Sequence, residues 1–274
     1  MRSKRSLRPW VMCAYLAVVV AATTAAVFGQ APAKTPASPQ PAAKPAPKRE
    51  MIQVTIVRVK PELLTEWLDF QKNETIPMLK KAGVTRRDAW QTAVFGEAGT
   101  YAFVAPIESF NQYDGDNPPV RALGAEGARA YGEKNRRYLL SSRVYAEQTR
   151  PDLGYDMKMS GPPKLALLSD VQIALGKGPE YEALVKSDVL PVMRKARLGY
   201  AVSQTVLGGD INAFTTLIFY DNFAEIGKGH PFERILGAEG ARQLTVKAAG
   251  IVTHVERRII RYVPDLSFGS RPTT

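Results

Sequence analysis

Residues 121–129 read RALGAEGAR, and residues 234–242 read RILGAEGAR. Eight of the nine positions agree, at an offset of 113. The register holds outside the motif. Gln91-Thr92 meets Gln204-Thr205, Phe110 meets Phe223, and Pro151-Asp152-Leu153 meets Pro264-Asp265-Leu266. Upstream the offset becomes 114, with Trp67 against Tyr181, Lys72 against Lys186 and Pro77 against Pro191. One residue is therefore missing from the second copy between Pro191 and Gln204. A run of matches of this length marks an internal duplication, with units at residues 51–153 and 165–266.

Each unit carries the same order of patterns. Residues 51–60 are rich in β-branched side chains and precede Pro61, which predicts a strand. Residues 62–83 place Leu64, Trp67 and Phe70 on one helical face; in the second copy that face is Tyr181, Leu184, Val185, Val189 and Met193. Pro77 and Pro191 predict a kink or restart near the helix ends. Two strands follow at residues 87–95 and 100–106 around the turn Gly96-Glu97-Ala98-Gly99. The second copy repeats them at 200–207 and 213–220 around Gly208-Gly209-Asp210. A longer helical region and a last strand, at 143–150 or 252–262, complete the unit. The order β-α-β-β-α-β is the α+β, ferredoxin-like arrangement. Its helices cover one sheet face and leave the other bare. Two units in one chain can bury the bare faces by packing sheet to sheet as a pseudo-dimeric barrel.

In this element order, the LGAEGAR helix start and the strand-ending PDL, residues 51–266 resemble the dimeric α+β barrel superfamily. That group includes antibiotic-biosynthesis monooxygenase-like and NIPSNAP-like domains. The resemblance implies the fold. It fixes no reaction, because members include oxygenases, isomerases and haem proteins.

The ends of the chain are of a different character. Arg2, Lys4, Arg5 and Arg8 precede an uncharged stretch from Trp10 to Phe28. A basic segment followed by an apolar one predicts an export signal at residues 1–29, with an uncleaved membrane anchor as the alternative. Either places the rest outside the cytoplasm, periplasmic or extracellular. Residues 30–50 are Pro/Ala-rich, without large apolar side chains, and predict an extended tether. Residues 267–274 form a short tail. The net charge of +11 is concentrated at the front: residues 1–50 hold eight Lys/Arg and one acid, leaving the rest only +4. A nucleic-acid surface is not expected from that distribution. Cys13, the sole cysteine, lies in the leader, so disulfide and thiolate chemistry are not expected in the mature chain.

Candidate site residues come from comparing the copies. On the first strand, Val54, Ile56 and Arg58 share a face whose counterparts are Leu168, Asp170 and Gln172. The other face keeps its apolar character, which suits packing on helices. The changing face would look into the barrel, where Arg58, Asp170 and Gln172 could meet; they could equally be solvated strand ends. Gln91 and Gln204 recur in apolar strands near Trp90, Tyr101 and Tyr200. These could line a ligand cavity or simply be core. Glu256, Arg257, Arg258 and Arg261 make a basic strip, either an acidic-ligand site or a protective edge.

His230 precedes Pro231 and matches Asn117 before Pro118. The pair suits helix capping, with a general base or axial haem ligand as the functional alternative. The recurring Gly-Ala-Glu-Gly suits a helix break more than an anion nest. No cofactor is expected, haem being the one carried forward, and no metal site.

The function these features favour is a barrel that binds a small, partly apolar molecule. One alternative is a cofactor-independent monooxygenase- or isomerase-like enzyme using His230, Asp170 and Arg58. The other is a cell-envelope interaction module. The copies differ at Arg58/Gln172, Ile56/Asp170, Asn117/His230 and Trp90/Ser203, so at most one half is expected to hold a working pocket. Membrane contact is expected only through an uncleaved leader.

Overall fold

The computed structural model describes residues 48–157 and 161–269. The predicted leader and residues 30–47 of the tether lie outside the described residues, as do residues 270–274. The first repeat runs β1 (Met51–Val59), α1 (Leu64–Phe70), α2 (Ile76–Lys81), β2 (Asp88–Val94), β3 (Thr100–Ile107), α3 (Pro118–Tyr138) and β4 (Leu139–Thr149). The second runs β5 (Leu165–Ile173), α4 (Gly178–Leu184), α5 (Leu190–Ala196), β6 (Tyr200–Leu207), β7 (Ala213–Tyr220), a short α6 (Phe223–Ile226), α7 (Pro231–Ala248) and β8 (Val252–Tyr262). Strand order in each sheet is 4-1-3-2. The two sheets also join edge to edge, β2 on β8 and β4 on β6, closing an all-antiparallel eight-stranded barrel.

The prolines act as their chemistry requires. Pro77 and Pro191 cannot donate to the carbonyls four residues earlier. In both repeats a single π turn (Gln71–Thr75, Val185–Val189) absorbs the missing bond, and each proline then sits in the first turn of α2 or α5. The Gly-Ala-Glu-Gly motif is likewise structural. Gly124 and Gly237 hold φ of 71° and 72° with ψ near 170°, and kink α3 and α7. The second glycine of each motif is fixed by space: a Cβ on Gly127 or Gly240 would lie 2.8 Å or 2.6 Å from the Cβ of Leu123 or Leu236. The helix starts are capped as matched residues. Asn117 Oδ1 accepts from Val120 N–H (3.1 Å), and His230 Nδ1 accepts from Phe232 N–H (3.4 Å).

Alternation along the strands separates two layers. Val57, Val59, Ala89, Tyr101 and Phe103 pack with Trp67 and Phe70 of α1, so they face the helices. In repeat 2, Val171, Ile173, Tyr200, Val202 and Phe214 pack with Tyr181, Val185 and Met193. The remaining positions face inward. There Trp90, Ala102, Ala166, Leu168, Leu217, Phe219, Ile260 and Tyr262 form a cluster without helix residues. Buried Arg150 ties the repeats together. Its guanidinium makes paired bonds to Asp152 (3.0 and 2.8 Å) and reaches Glu182 at 2.7 Å.

Gly124→Ala and Gly237→Ala should each destabilise the fold, because only glycine occupies that backbone region at low cost. The expected loss is about 1–3 kcal/mol by urea unfolding. Gly115→Ala, at a position with open space and ordinary φ, should be nearly silent. Equal effects at all three sites would remove the conformational explanation.

Candidate functional site in the barrel interior

The offset that relates the repeats also relates the two seams, and the seams are not alike inside. At β2–β8 the paired interior positions, Trp90 with Tyr262 and Thr92 with Ile260, are mainly apolar, and buried Asp88, one interior step beyond Trp90, lies 3.8 Å from Arg86. Trp90, 3% exposed, pairs with Tyr262 across the seam, and their rings meet edge to face with centroids 5.2 Å apart. Phe219 stacks on its other side at 6.4 Å, and Ile260 completes the cluster. At β4–β6 the equivalent positions are polar. Glu147 stands where the twin seam has Ile260, Ser203 where it has Trp90, and Thr215 where it has Ala102.

Glu147 is 3% exposed. Ser203 Oγ donates to its Oε2 at 2.5 Å, and Thr215 Oγ1 donates to its Oε1 at 2.7 Å. The β4–β6 register shifts between Ala146 and Glu147, and such a shift re-aims the side chain beside it. Burial raises the carboxyl above its ordinary range and the Asp170 charge adds to that, while the two hydroxyl bonds oppose it. Tyr145, one interior step further along β4, has its phenol pushed well up by burial and by the charges of Glu147 and Asp170. It therefore remains a protonated donor.

The polar strip continues around the wall. Asp170 lies opposite Thr215 on β7, and its carboxylate pairs with Arg258 Nη1 at 2.7 Å. Arg258 also lies 3.7 Å from Glu256, which is mostly exposed. The strip thus runs from a buried carboxylate to a solvated ion pair at the end of the barrel carrying the β-hairpin turns. Chemically it offers an acceptor in a dry environment, with hydroxyls that orient it and a phenol nearby.

The residues singled out from the sequence fall in several places. Arg58, Asp170 and Gln172 lie on the inward face, but they do not meet. Arg58 pairs with Glu97 at 3.1 Å in solvent, Asp170 with Arg258, and Gln172 donates to Asp210 at 2.8 Å. Each has a nearer partner on its own rim, and that separates them. Trp90 lies inside, as the plug of the apolar half. Tyr101 is on the helix face against Trp67, with centroids 4.6 Å apart. Gln91 is on the same face, opposite Tyr101. Gln204 alternates with Ser203, so it too faces the helices, and its amide donates to Ile211 O at 3.0 Å.

His230 caps α7 outside the barrel. Burial, with the charge of Arg257, lowers its pKa to about 4, so the neutral ring accepts the cap bond. The basic strip splits by alternation, Arg258 inward and Arg257 toward His230.

Two cavities open on the helix side and at the junction of the repeats. The first, about 500 Å³, lies between α2 and α3. The second, about 990 Å³, involves Pro162, Leu165, Asn222, Phe223 and Arg261. Neither is lined by histidine. Among the described residues no group of three acidic, His or Cys side chains could hold a metal ion, and no helix is long and apolar enough to cross a membrane.

Sequence reasoning passed over Glu147 because the copies were compared face by face only on the first strand, not on the last. The signal was present: at an offset of 113, Glu147 meets Ile260, the same kind of mismatch that singled out Asp170. Its consequence can be measured. The folded chain holds the Glu147 proton more tightly than the unfolded chain does. That contribution is complete below the ordinary value of 4.5 and is lost as pH rises through the higher folded value. Glu147→Gln cannot ionise. It should therefore gain stability relative to wild type as pH rises from about 4 to about 8 in paired unfolding curves. A difference that stays flat would mean Glu147 ionises as freely as an exposed carboxylate.

No family model matches the sequence, and no curated protein matches it. Solved structures do match the fold. A candidate monooxygenase from Lactobacillus acidophilus NCFM is 9% identical with a TM-score of 0.51, over 80% of this chain and 96% of that one. An anthrone oxidase-like protein is 10% identical with a TM-score of 0.52, over 78% and 91%. A double mutant of the chlorite dismutase of Candidatus Nitrospira defluvii is 6% identical with a TM-score of 0.53, over 80% and 94%. At these identities the likeness speaks for the fold alone, and that fold is the dimeric α+β barrel, built here from two repeats of one chain.

Proposed function

We propose that the protein binds a small, partly apolar molecule in the polar half of the barrel interior, through a donor group that meets Glu147. One observation carries this reading. The second seam shows that the barrel closes with Trp90 and Ile260 in these places, yet the first keeps Ser203 and Glu147. A desolvated carboxylate costs several kcal/mol relative to a well-packed apolar group. Asp88 lies 3.8 Å from Arg86, whereas Glu147 has two hydroxyl donors and no cation among the described residues, so it can take a further donor. An amine, hydroxyl or phenol on an apolar body suits a carboxylate flanked by Ser203, Thr215 and Tyr145. Ser203 is far smaller than Trp90, which fills the matching position of the other seam.

A second reading, an enzyme, draws on the same carboxylate. A glutamate raised by burial can take a proton from a phenolic or carbonyl substrate. The likeness in fold to a candidate monooxygenase and an anthrone oxidase-like protein makes that class of chemistry the one to test. Glu147 then takes the base role that sequence reasoning gave to His230 and Asp170. Haem is raised by the likeness to chlorite dismutases. The histidines present do not fit it: His230 spends Nδ1 on a helix cap, His254 is exposed on β8, and neither lines a described cavity. We derive no step through haem.

Export to the periplasm or cell exterior rests on the basic-then-apolar leader and the Pro/Ala-rich tether, which would also serve an envelope-tethered module. In a fractionated expression host, the intact mass of the recovered protein should correspond to an N-terminus near residue 30, in the soluble extracytoplasmic fraction. Recovery of the full chain in the cytoplasm would remove the proposal.

Binding is tested by thermal-shift titration of the wild type with a panel of small phenols, amines and alcohols. At least one should stabilise the protein saturably with one equivalent bound. Ser203→Trp should abolish that shift while keeping the fold, because it copies the plug of the other half. Glu147→Gln should weaken binding about tenfold or more. Two equivalents of equal affinity, or a ligand indifferent to both substitutions, would sink the assignment.

A further inference from the structure

The helix-facing layer of repeat 1 contains a second polar anomaly, unrelated to Glu147. Arg87 is 5% exposed. Its Nη2 donates to Gln71 Oε1 at 2.9 Å, and its guanidinium lies flat over Phe103, 3.7 Å from the ring centroid. Its Nε has no partner, and among the described residues it makes no ion pair. On the other side of the same aromatic cluster, Trp67 is buried with an unpaired Nε1, its rings 6.1 Å from Phe103. Two buried N–H donors without acceptors therefore share one layer. Native proteins leave few such groups unpaired, and a buried guanidinium without an anion is costlier still.

The twin layer lacks the anomaly. Arg87 corresponds to Tyr200, Trp67 to Tyr181, Gln71 to Val185 and Thr75 to Val189. Tyr181, Val185, Val189 and Tyr200 are continuous apolar core. The fold thus does not need a cation at this place.

The 500 Å³ cavity between α2 and α3 lies beside this layer. Pro77, Met78, Leu123, Ala130 and Tyr131 give it mainly apolar walls; Lys81 also lines it, as do Glu74 and Lys134, which pair with each other. Gln71, Thr75 and Met78 fall at i, i+4 and i+7, so one helix face leads from Arg87 to the cavity in about 10 Å. Between them stands Tyr131, whose hydroxyl meets Thr75 Oγ1 at 3.0 Å. Tyr131 lines the cavity and also stacks on Phe70 with centroids 5.2 Å apart, so reaching Arg87 from the cavity requires that ring to move.

We propose that this layer binds a small amphipathic carboxylic acid, with its hydrocarbon body between α2 and α3 and its carboxylate on Arg87. The guanidinium supplies a charge-assisted bond to the anion. Phe103 and Trp67 keep water away from it. Entry moves Tyr131 off Thr75. Burial also lowers the pKa of Arg87 to about 10, and a bound anion would reverse that penalty.

Octanoate and octanol, matched in length, serve as probes in thermal-shift and tryptophan-fluorescence titrations of the folded chain. Octanoate should bind at least tenfold more tightly than octanol, with a change in Trp67 emission. Arg87→Met should erase the preference for the acid. Ala130→Phe, which narrows the cavity and leaves Arg87 in place, should weaken octanoate in the same way and keeps the test sound if Arg87→Met fails to fold. Glu147→Gln should leave octanoate binding unchanged, which separates this site from the barrel interior. Equal binding of acid and alcohol in the Ser203→Trp variant, whose barrel site is plugged, would mean that water satisfies Arg87, and would overturn the proposal. So would no binding of either, or an acid preference that survives Arg87→Met.

Discussion

Each four-stranded sheet of this protein has two unpaired edges and one uncovered face, and neither is tolerable alone. Edge strands present rows of free N–H and C=O groups, and a bare apolar face needs a partner. Pairing β2 with β8 and β4 with β6 resolves both at once, because closing the edges also encloses the faces. Everything distinctive about the interior follows from those two seams. They bring side chains of different repeats into register, and they carry the exchange of Trp90 and Ile260 for Ser203 and Glu147.

Duplication lets the seams diverge. In a symmetric homodimer a substitution at one seam appears at both, so a buried carboxylate at one would be a buried carboxylate at each. A single chain escapes that coupling. Here one seam carries Trp90 and Ile260 and contributes packing. The other carries Ser203 and Glu147, which cost stability unless their polar groups are matched. Ser203 and Thr215 each donate to one carboxylate oxygen, which orients Glu147 before any ligand arrives and leaves acceptor sites for it. Preorganisation of this kind lowers the cost of binding.

The helical layers diverged in the opposite sense. Repeat 2 has an apolar layer around Tyr181 and Met193, whereas repeat 1 holds Arg87, Gln71 and Thr75 among its aromatics. Repeat 2 has therefore kept a conventional helix-side core, and repeat 1 has given up part of its own. The polar groups of the barrel interior and those of repeat 1 lie on opposite faces of the sheets, as strand alternation requires.

Much of the architecture was legible in the sequence. The 113-residue offset, the strand and helix periods, the kink prolines and the Gly-Ala-Glu-Gly breaks are local or repeated signals. Each acts through backbone sterics or hydrogen bonding within a few residues. The inward face of the first strand could be read too, because only that face changed between the copies. What the sequence could not supply was which polar residues meet. Glu147, Ser203 and Thr215 belong to three strands from both repeats, separated by 56 and 68 residues, and only the β4–β6 seam places them together. Arg58, Asp170 and Gln172 share a face by alternation, yet rim partners hold them apart. Periodicity decides the face on which a side chain lies. The pairing of distant strand edges decides what stands beside it, and that information resides in the closure of the barrel.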